Sequence, residues 1–416
     1  AFTAHDHTCY YYTLQSKALA DSLSIFSCFF TEPLFNPKSV MREKDAVNSE
    51  HRKNILSDTW RTDSLLYNSY EIGHPLKKFG TGSNDTLDIP NIDQLVKNFY
   101  EKHYSSHLMT LVIYTNQDIS TIKSQINESF ENVKERITDE NSKIVKGKML
   151  TKPHIIKMVP ISESDGISFY WDIPSIRSKP SNAIDFISHL IGNECIGSIE
   201  YILTQKDYSC SLLSGTRYVV NDRTIFFTDI KLTPLGRENV EEIINIVNSY
   251  INMLQININN EHLAELYNEY VILKKVNFEH IQQTEGNNTL MNYCMLLTKY
   301  DFPLTQLPII QYMTDNFDEL FKKQLRDILT EMSPDNVTII IQSRHFDKQT
   351  TLIDKHYGTE YDMTEKFYPH TIQNPDVRLP PLNPYLAVKN NIISIKESVA
   401  IPVPNNVILA SDKRIQ

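Results

Sequence analysis

Residues 37–70 read PKSVMREKDAVNSEHRKNILSDTWRTDSLLYNSY. Asn36 precedes them as a cap, Pro37 suits the first helical position, and neither Pro nor Gly interrupts the run before Gly73, so the pattern predicts one long helix over Pro37–Tyr70. Steps of about a hundred degrees per residue place Val40, Glu43, Val47, Glu50 and Asn54 on one stripe. Arg42, Lys44, Asp45, Arg52 and Lys53 point elsewhere. A carboxylate on a half-apolar stripe is unfavourable unless a cation or hydrogen-bond donor meets it. Glu43 and Glu50 therefore read either as surface charges on a charge-rich helix or as inward groups that await a partner.

Outward from this helix, the segments alternate in type. Thr8–Leu14 (TCYYYTL) and Leu108–Tyr114 (LMTLVIY) have strand composition, while Ser16–Phe30, Ile92–His103 and Asp118–Val133 have helical spacing. Lys134–Lys152 is polar and charged, as an interdomain linker would be. The later part repeats the plan. Strands are expected at 164–173, 209–218, 223–232 and 336–342, and helices after Ser181 and at about 236–256, 260–280 and 317–329. This order predicts a duplicated α+β unit: a first domain over 1–150, a second over 151–387, and a linker with the start of a third domain over 388–416. The second copy carries a strand and two helices that the first does not, and AFTAHDHTCYYYTL opens in strand-like sequence. Both features predict a piece of a longer polypeptide.

Composition narrows the function. The 416 residues are 41% hydrophobic and 22% charged, with a net charge of −10, which argues against nucleic-acid binding. Five scattered cysteines without CxxC spacing suit a reducing, cytoplasmic-type compartment, and Cys9, Cys28 and Cys195 lie in apolar runs that suggest core positions. No apolar run reaches membrane-spanning length, so stable membrane insertion is not expected. No Ser, Cys or His constellation suggests a nucleophile, and no phosphate loop is present. His5 and His7 flank Asp6 in a pairing that could serve a metal, but the stretch reads as a polar loop.

The segments AFTAHDHTCYYYTL, CFFTEPLFNPKSVMREKDAVNSEHRKNILSDTWR, HPLKKFGTGSNDTL, HLMTLVIY, HLIGNECIGSIEYILTQKDYSCSLLSG, FFTDIKLTPLGRENVEEII and HYGTEY resemble, in order, the insulysin branch of the pitrilysin family of zinc peptidases. Pheromone-processing relatives belong to the same branch. The resemblance implies homologous domains, each a mainly antiparallel sheet covered by helices, and a zinc endopeptidase that hydrolyses oligopeptides and small unfolded polypeptides inside an enclosed chamber. It implies Zn²⁺ as cofactor, Glu50 as the third zinc ligand and Glu43 as a carboxylate orienting a ligand histidine.

The family's His-x-x-Glu-His motif, which supplies two ligands and the general base, occurs nowhere in these 416 residues. The resemblance places it upstream of Ala1, so the chain alone is expected to lack activity and bound metal. It also places Ala1 and Thr3 on a sheet edge that receives substrate, and Phe2 and Trp60 in pockets beside the scissile bond, although plain packing explains such aromatics equally well. Gly192 through Gly197 and Ser214–Gly215 resemble a site that grips a peptide's N-terminus; turn glycines are the other reading. Expected partners are peptide substrates, the C-terminal half of the same protein and a second copy in a homodimer. The competing expectation is a catalytically inactive structural or peptide-binding relative.

Overall fold

The computed structural model describes residues 1–136, 147–150, 152–175, 180–220, 223–282, 286–366 and 373–386. The expected start of a third domain over 388–416, and most of the expected linker, lie outside the described residues. Ala1–Pro381 form one compact unit.

The first 130 residues hold the ribbon strands β1 (Phe2–Thr3) and β2 (Thr8–Cys9), then helices α1 (Leu19–Thr31), α2 (Pro37–Asn54), α3 (Asp58–Asn68), α4 (Asn84–Leu87), α5 (Ile92–His103) and α6 (Ile119–Phe130). After them come β3 (His154–Met158), β4 (Asp165–Pro174), α7 (Asn182–Ile191), α8 (Ile199–Gln205), β5 (Ser209–Val220) and β6 (Arg223–Leu232). The remainder runs α9 (Pro234–Glu238), α10 (Val240–Ile256), α11 (Glu261–Glu279), α12 (Gly286–Lys299), α13 (Glu319–Glu331), β7 (Val337–Gln342), β8 (Leu352–Ile353) and β9 (Glu360–Glu365).

Seven strands form one sheet in the order β5-β6-β4-β7-β3-β9-β8. Every pairing is antiparallel except β3 with β7. The fold is thus α+β with a mainly antiparallel, helix-covered sheet, as expected. Side chains alternate across β4: Phe169 and Trp171 join the main core on one face, and Tyr170 joins a smaller core on the other. The main core takes Phe186 and Ile187 of α7, Ile243, Val247 and Tyr250 of α10, and Phe321 and Leu325 of α13. The smaller core takes Leu65 and Leu66 of α3, together with Tyr70, Leu76, Met149 and Leu150. A helix from the front of the chain therefore seals the second face of a sheet built from residues after 150.

Four local expectations fail. The helix expected over Pro37–Tyr70 is two helices, because tertiary bonds break it where no Pro or Gly does. The Asp58 carboxylate accepts the backbone N–H groups of Ile161 (2.7 Å) and Ser162 (2.9 Å), and Ser57 ahead of it is extended. The strand expected over Thr8–Leu14 shrinks to Thr8–Cys9, and Leu108–Tyr114 forms no strand. Leu14 and Ile113 instead pack on Leu19, Leu23 and Ile122 without a ladder, since strand composition needs a hydrogen-bonding neighbour to become strand. Finally, Cys28 and Cys195 are exposed rather than core, and Cys9 is half-buried.

Candidate functional site

Helix α2 starts as its sequence dictates: the Asn36 side chain accepts the Lys38 N–H at 3.0 Å, and Pro37 occupies the first turn. Glu43 and Glu50, seven residues apart, share a face that is exposed. The inward stripe expected for them is not what the structure shows. Val40, Val47 and Asn54 are half-buried, and the buried residue of α2 is His51, beside Glu50 in sequence but about a hundred degrees away around the axis.

At the start of the chain, β1 pairs antiparallel with β2, Phe2 opposite Cys9 and Thr3 opposite Thr8. Ala1, Phe2 and Thr3 are exposed, and Phe2 rests edge-on against His7 at 5.7 Å. Trp60, on α3, is 43% exposed. Neither aromatic is core, so both leave apolar surface open to a ligand. His5 and His7 are engaged by different partners: His5 Nε2 meets the Tyr67 hydroxyl (3.0 Å), and His7 Nδ1 meets Asp6 (2.6 Å).

The third group sits where α7 meets β5. The Ser188 hydroxyl donates to the Ser214 carbonyl (3.0 Å), and the Ser214 hydroxyl donates back to the Ser188 carbonyl (2.9 Å). A Cβ added to Gly192 would lie 3.4 Å from Ser214 Oγ, so these two expected residues are neighbours. Gly215 follows on β5, over the ring of Phe227. Gly197 stands apart. It has φ +91°, and an added Cβ would fall 2.3 Å from Cγ of Arg378, so its smallness serves a turn packed under that arginine. The Gly197 carbonyl also accepts the Arg378 N–H at 3.2 Å.

Sequence reasoning missed the loop between β8 and β9. Buried Asp354 accepts from the Ser64 hydroxyl and the Asn68 amide (both 3.1 Å) and from the N–H groups of His356 (3.2 Å) and Tyr357 (2.7 Å). Burial holds the His356 imidazole below its ordinary value, against the pull of Asp354. A second missed group docks α3 on the sheet: Arg217 bridges Asp63 (2.5 Å) and Asp229 (3.7 Å) across the rings of Tyr170 and Phe227. Burial raises the Asp229 carboxyl, offset in part by Ser168 and Arg217. The signal available in sequence was HYGTEY itself, which holds His356 and Tyr357.

Three family profiles match in order: Insulinase (Peptidase family M16) over residues 1–70, Peptidase M16 inactive domain over 93–270, and Middle or third domain of peptidase_M16 over 278–415. The chain belongs to peptidase family M16, in its insulysin branch. It is 27% identical to Insulin-degrading enzyme-like 1, peroxisomal, of Arabidopsis thaliana, over 97% of this chain and 42% of that protein. It is 29% identical to the A-factor-processing enzyme of Saccharomyces cerevisiae, over 99% of this chain and 40% of the relative. The chain thus spans about two fifths of the length of these relatives. The crystal structure of pitrilysin superposes with a TM-score of 0.78 at 22% identity, covering 89% of this chain and 40% of that one, which establishes the shared fold.

Membership of M16 raises the question of zinc. Catalytic zinc takes three protein ligands and an open position. Among the described residues no three His, Cys, Asp or Glu side chains converge closely enough to hold an ion. Glu50 offers one carboxylate, and the adjacent His51 turns the other way. These residues alone do not fit a zinc centre. No described helix is long and apolar enough to cross a membrane.

Proposed function

We propose that this M16 chain is part of a zinc metalloendopeptidase of the insulysin type, hydrolysing oligopeptides and small unfolded polypeptides in an enclosed chamber. The observation that carries the reading is the ordered series of three M16 matches along the chain, the first of which holds Glu43 and Glu50 on an open helix face. On this reading Glu50 contributes one metal-binding carboxylate and Glu43 orients a neighbouring ligand. The two histidines and the general base come from a His-x-x-Glu-His segment outside these 416 residues, and the chain by itself is inactive. Substrate lies along the β1 edge near Phe2 and Trp60, with its N-terminus held near Gly192, Ser214 and Gly215. The C-terminal half of the same protein closes the chamber, and a homodimer is a further expected partner.

A catalytically inactive, peptide-binding relative is the second reading. The exposure of Glu50, where an inward carboxylate was expected, favours it.

The deciding experiment joins this chain to the polypeptide that bears His-x-x-Glu-His, then measures zinc by elemental analysis and turnover of a quenched fluorogenic peptide. Near-stoichiometric zinc, lost in Glu50→Gln and weakened roughly 10–100-fold in Glu43→Gln, is expected. Full zinc occupancy in Glu50→Gln would remove Glu50 from the site. Peptide binding without zinc or turnover would establish the second reading.

A further inference from the structure

We infer that the loop 354–359 sets the direction in which α2 presents Glu43 and Glu50, and that His51 is the positioning residue through which it does so. The inference rests on the functional reading above only for its consequence; its geometry stands independently. His51 is 5% exposed, and its Nε2 donates to the His356 carbonyl at 3.0 Å. Its ring lies edge-on to Phe79 (5.0 Å) and Tyr357 (5.1 Å), while Phe79 stacks flat on His356 at 4.0 Å. Because the carbonyl can only accept, Nε2 carries the proton. Nδ1 is buried and has no hydrogen-bond partner among the described residues. The hydrogen bond that ties the ring to the loop is therefore the one from Nε2.

Consecutive helical side chains diverge by a fixed angle, so clamping His51 also fixes Glu50, and Glu43 two turns earlier lies on the same face as Glu50. The loop that accepts the bond is itself rigidly held. Asp354 N–H donates to the Thr359 carbonyl (2.8 Å), and the Asp354 carboxylate grips α3 through Ser64 and Asn68. Arg61 Nη1 reaches the carbonyls of both Ile55 and Tyr357 at 3.4 Å, joining the α2–α3 elbow to the same loop. Hence the last turn of α2 and α3 are both tied to residues some three hundred positions later in sequence, beside the bonds from Ile161 and Ser162 that set the elbow.

Substitutions at His51 separate a hydrogen bond from mere filling of space. Gln places an amide donor near the Nε2 position, Asn places its amide nearer Nδ1, and Leu fills similar volume with no donor. The test is the nitroxide–nitroxide distance distribution between Glu50→Cys and Lys323→Cys on α13, in the full chain with its five native cysteines replaced by serine. His51→Gln should reproduce the parent distribution, whereas His51→Asn and His51→Leu should shift and broaden it with helix content by circular dichroism unchanged. Parent-like distributions for Asn and Leu, or a Gln variant as displaced as Leu, would overturn the inference. If the Leu variant fails to fold, the Gln–Asn comparison decides alone. Because the readout involves no metal and no turnover, it can fail while the peptidase reading stands, and the reverse.

Discussion

The Ser64 hydroxyl lies 3.1 Å from Oδ1 of Asp354, across 290 residues of sequence. Asp354 is 3% exposed and accepts four hydrogen bonds, two of them from its own loop's backbone. Removing the carboxylate strands buried donors on both α3 and the loop. Asp354→Ala is therefore expected to destabilise the chain by about 3 kcal/mol, and Asp354→Asn, which keeps one acceptor, by about 1–2 kcal/mol. Urea denaturation followed by tryptophan fluorescence measures both. An unmoved midpoint in the Ala variant would show that the loop is held by packing instead.

The pair Asp172–Arg223 makes a pH-dependent prediction. Asp172 is fully buried; its carboxylate accepts from Arg223 Nε at 2.8 Å and from the backbone N–H groups of Met149 and Leu150. Burial pushes this carboxyl above its ordinary range, with Arg223 pulling the other way. Arg223→Met leaves the buried carboxylate uncompensated and should cost about 3–5 kcal/mol at neutral pH. A carboxyl whose folded-state pKa is raised binds its proton more tightly folded than unfolded, so its stabilising effect is present at low pH and lost as pH rises. The deficit of the Met variant relative to its parent should thus shrink as pH falls toward the ordinary value of 3.8. A deficit constant between pH 7 and 4.5 would mean the carboxyl is already protonated in the parent.

His356 predicts the opposite slope. Its folded-state pKa lies below the ordinary 6.5 because the ring is partly buried. Protonation is then easier in the unfolded chain, so stability falls as pH drops below 6.5 toward the lower folded value. His356→Gln should flatten that part of the pH–stability profile while leaving stability at pH 8 nearly unchanged. Midpoints that still decline equally between pH 7 and 5.5 would assign the slope to another histidine.

Much of this fold is legible in sequence where a segment carries its own partner pattern. Ile92–His103 was expected as a helix and is one, and the apolar spacing that buries Ile243, Val247 and Tyr250 on α10 is plain in the residues themselves. Legibility ends where remote residues decide. The elbow at Ile55–Ser57 depends on Ile161 and Ser162, and the inward side of α2 depends on His356 and Tyr357. A stripe drawn through Val40, Glu43 and Glu50 therefore missed His51. HIIKM and EYDMTE are short and acquire strand character only by pairing, β3 between β7 and β9, and β9 between β3 and β8.

Gly236, Gly197 and Gly192 should separate in stability, and that separation decides which of them can report on function. An alanine Cβ at Gly236 would lie 2.0 Å from the Tyr208 carbonyl oxygen, a backbone atom that also accepts the Thr233 N–H and cannot yield, so Gly236→Ala should cost about 3 kcal/mol or more. Gly197→Ala meets the flexible side chain of Arg378 but also a φ of +91°, for about 2 kcal/mol. Gly192→Ala has only contacts of 3.2 Å to the Ser188 carbonyl and 3.4 Å to Ser214 Oγ, and should cost about 0.5–1 kcal/mol. Since Gly192→Ala stays well folded, weakened capture of a peptide N-terminus in that variant, measured by fluorescence anisotropy, would report on the surface itself. Unchanged affinity there would exclude the junction of α7 and β5 from peptide binding, whereas a loss in Gly197→Ala would reflect the strained turn.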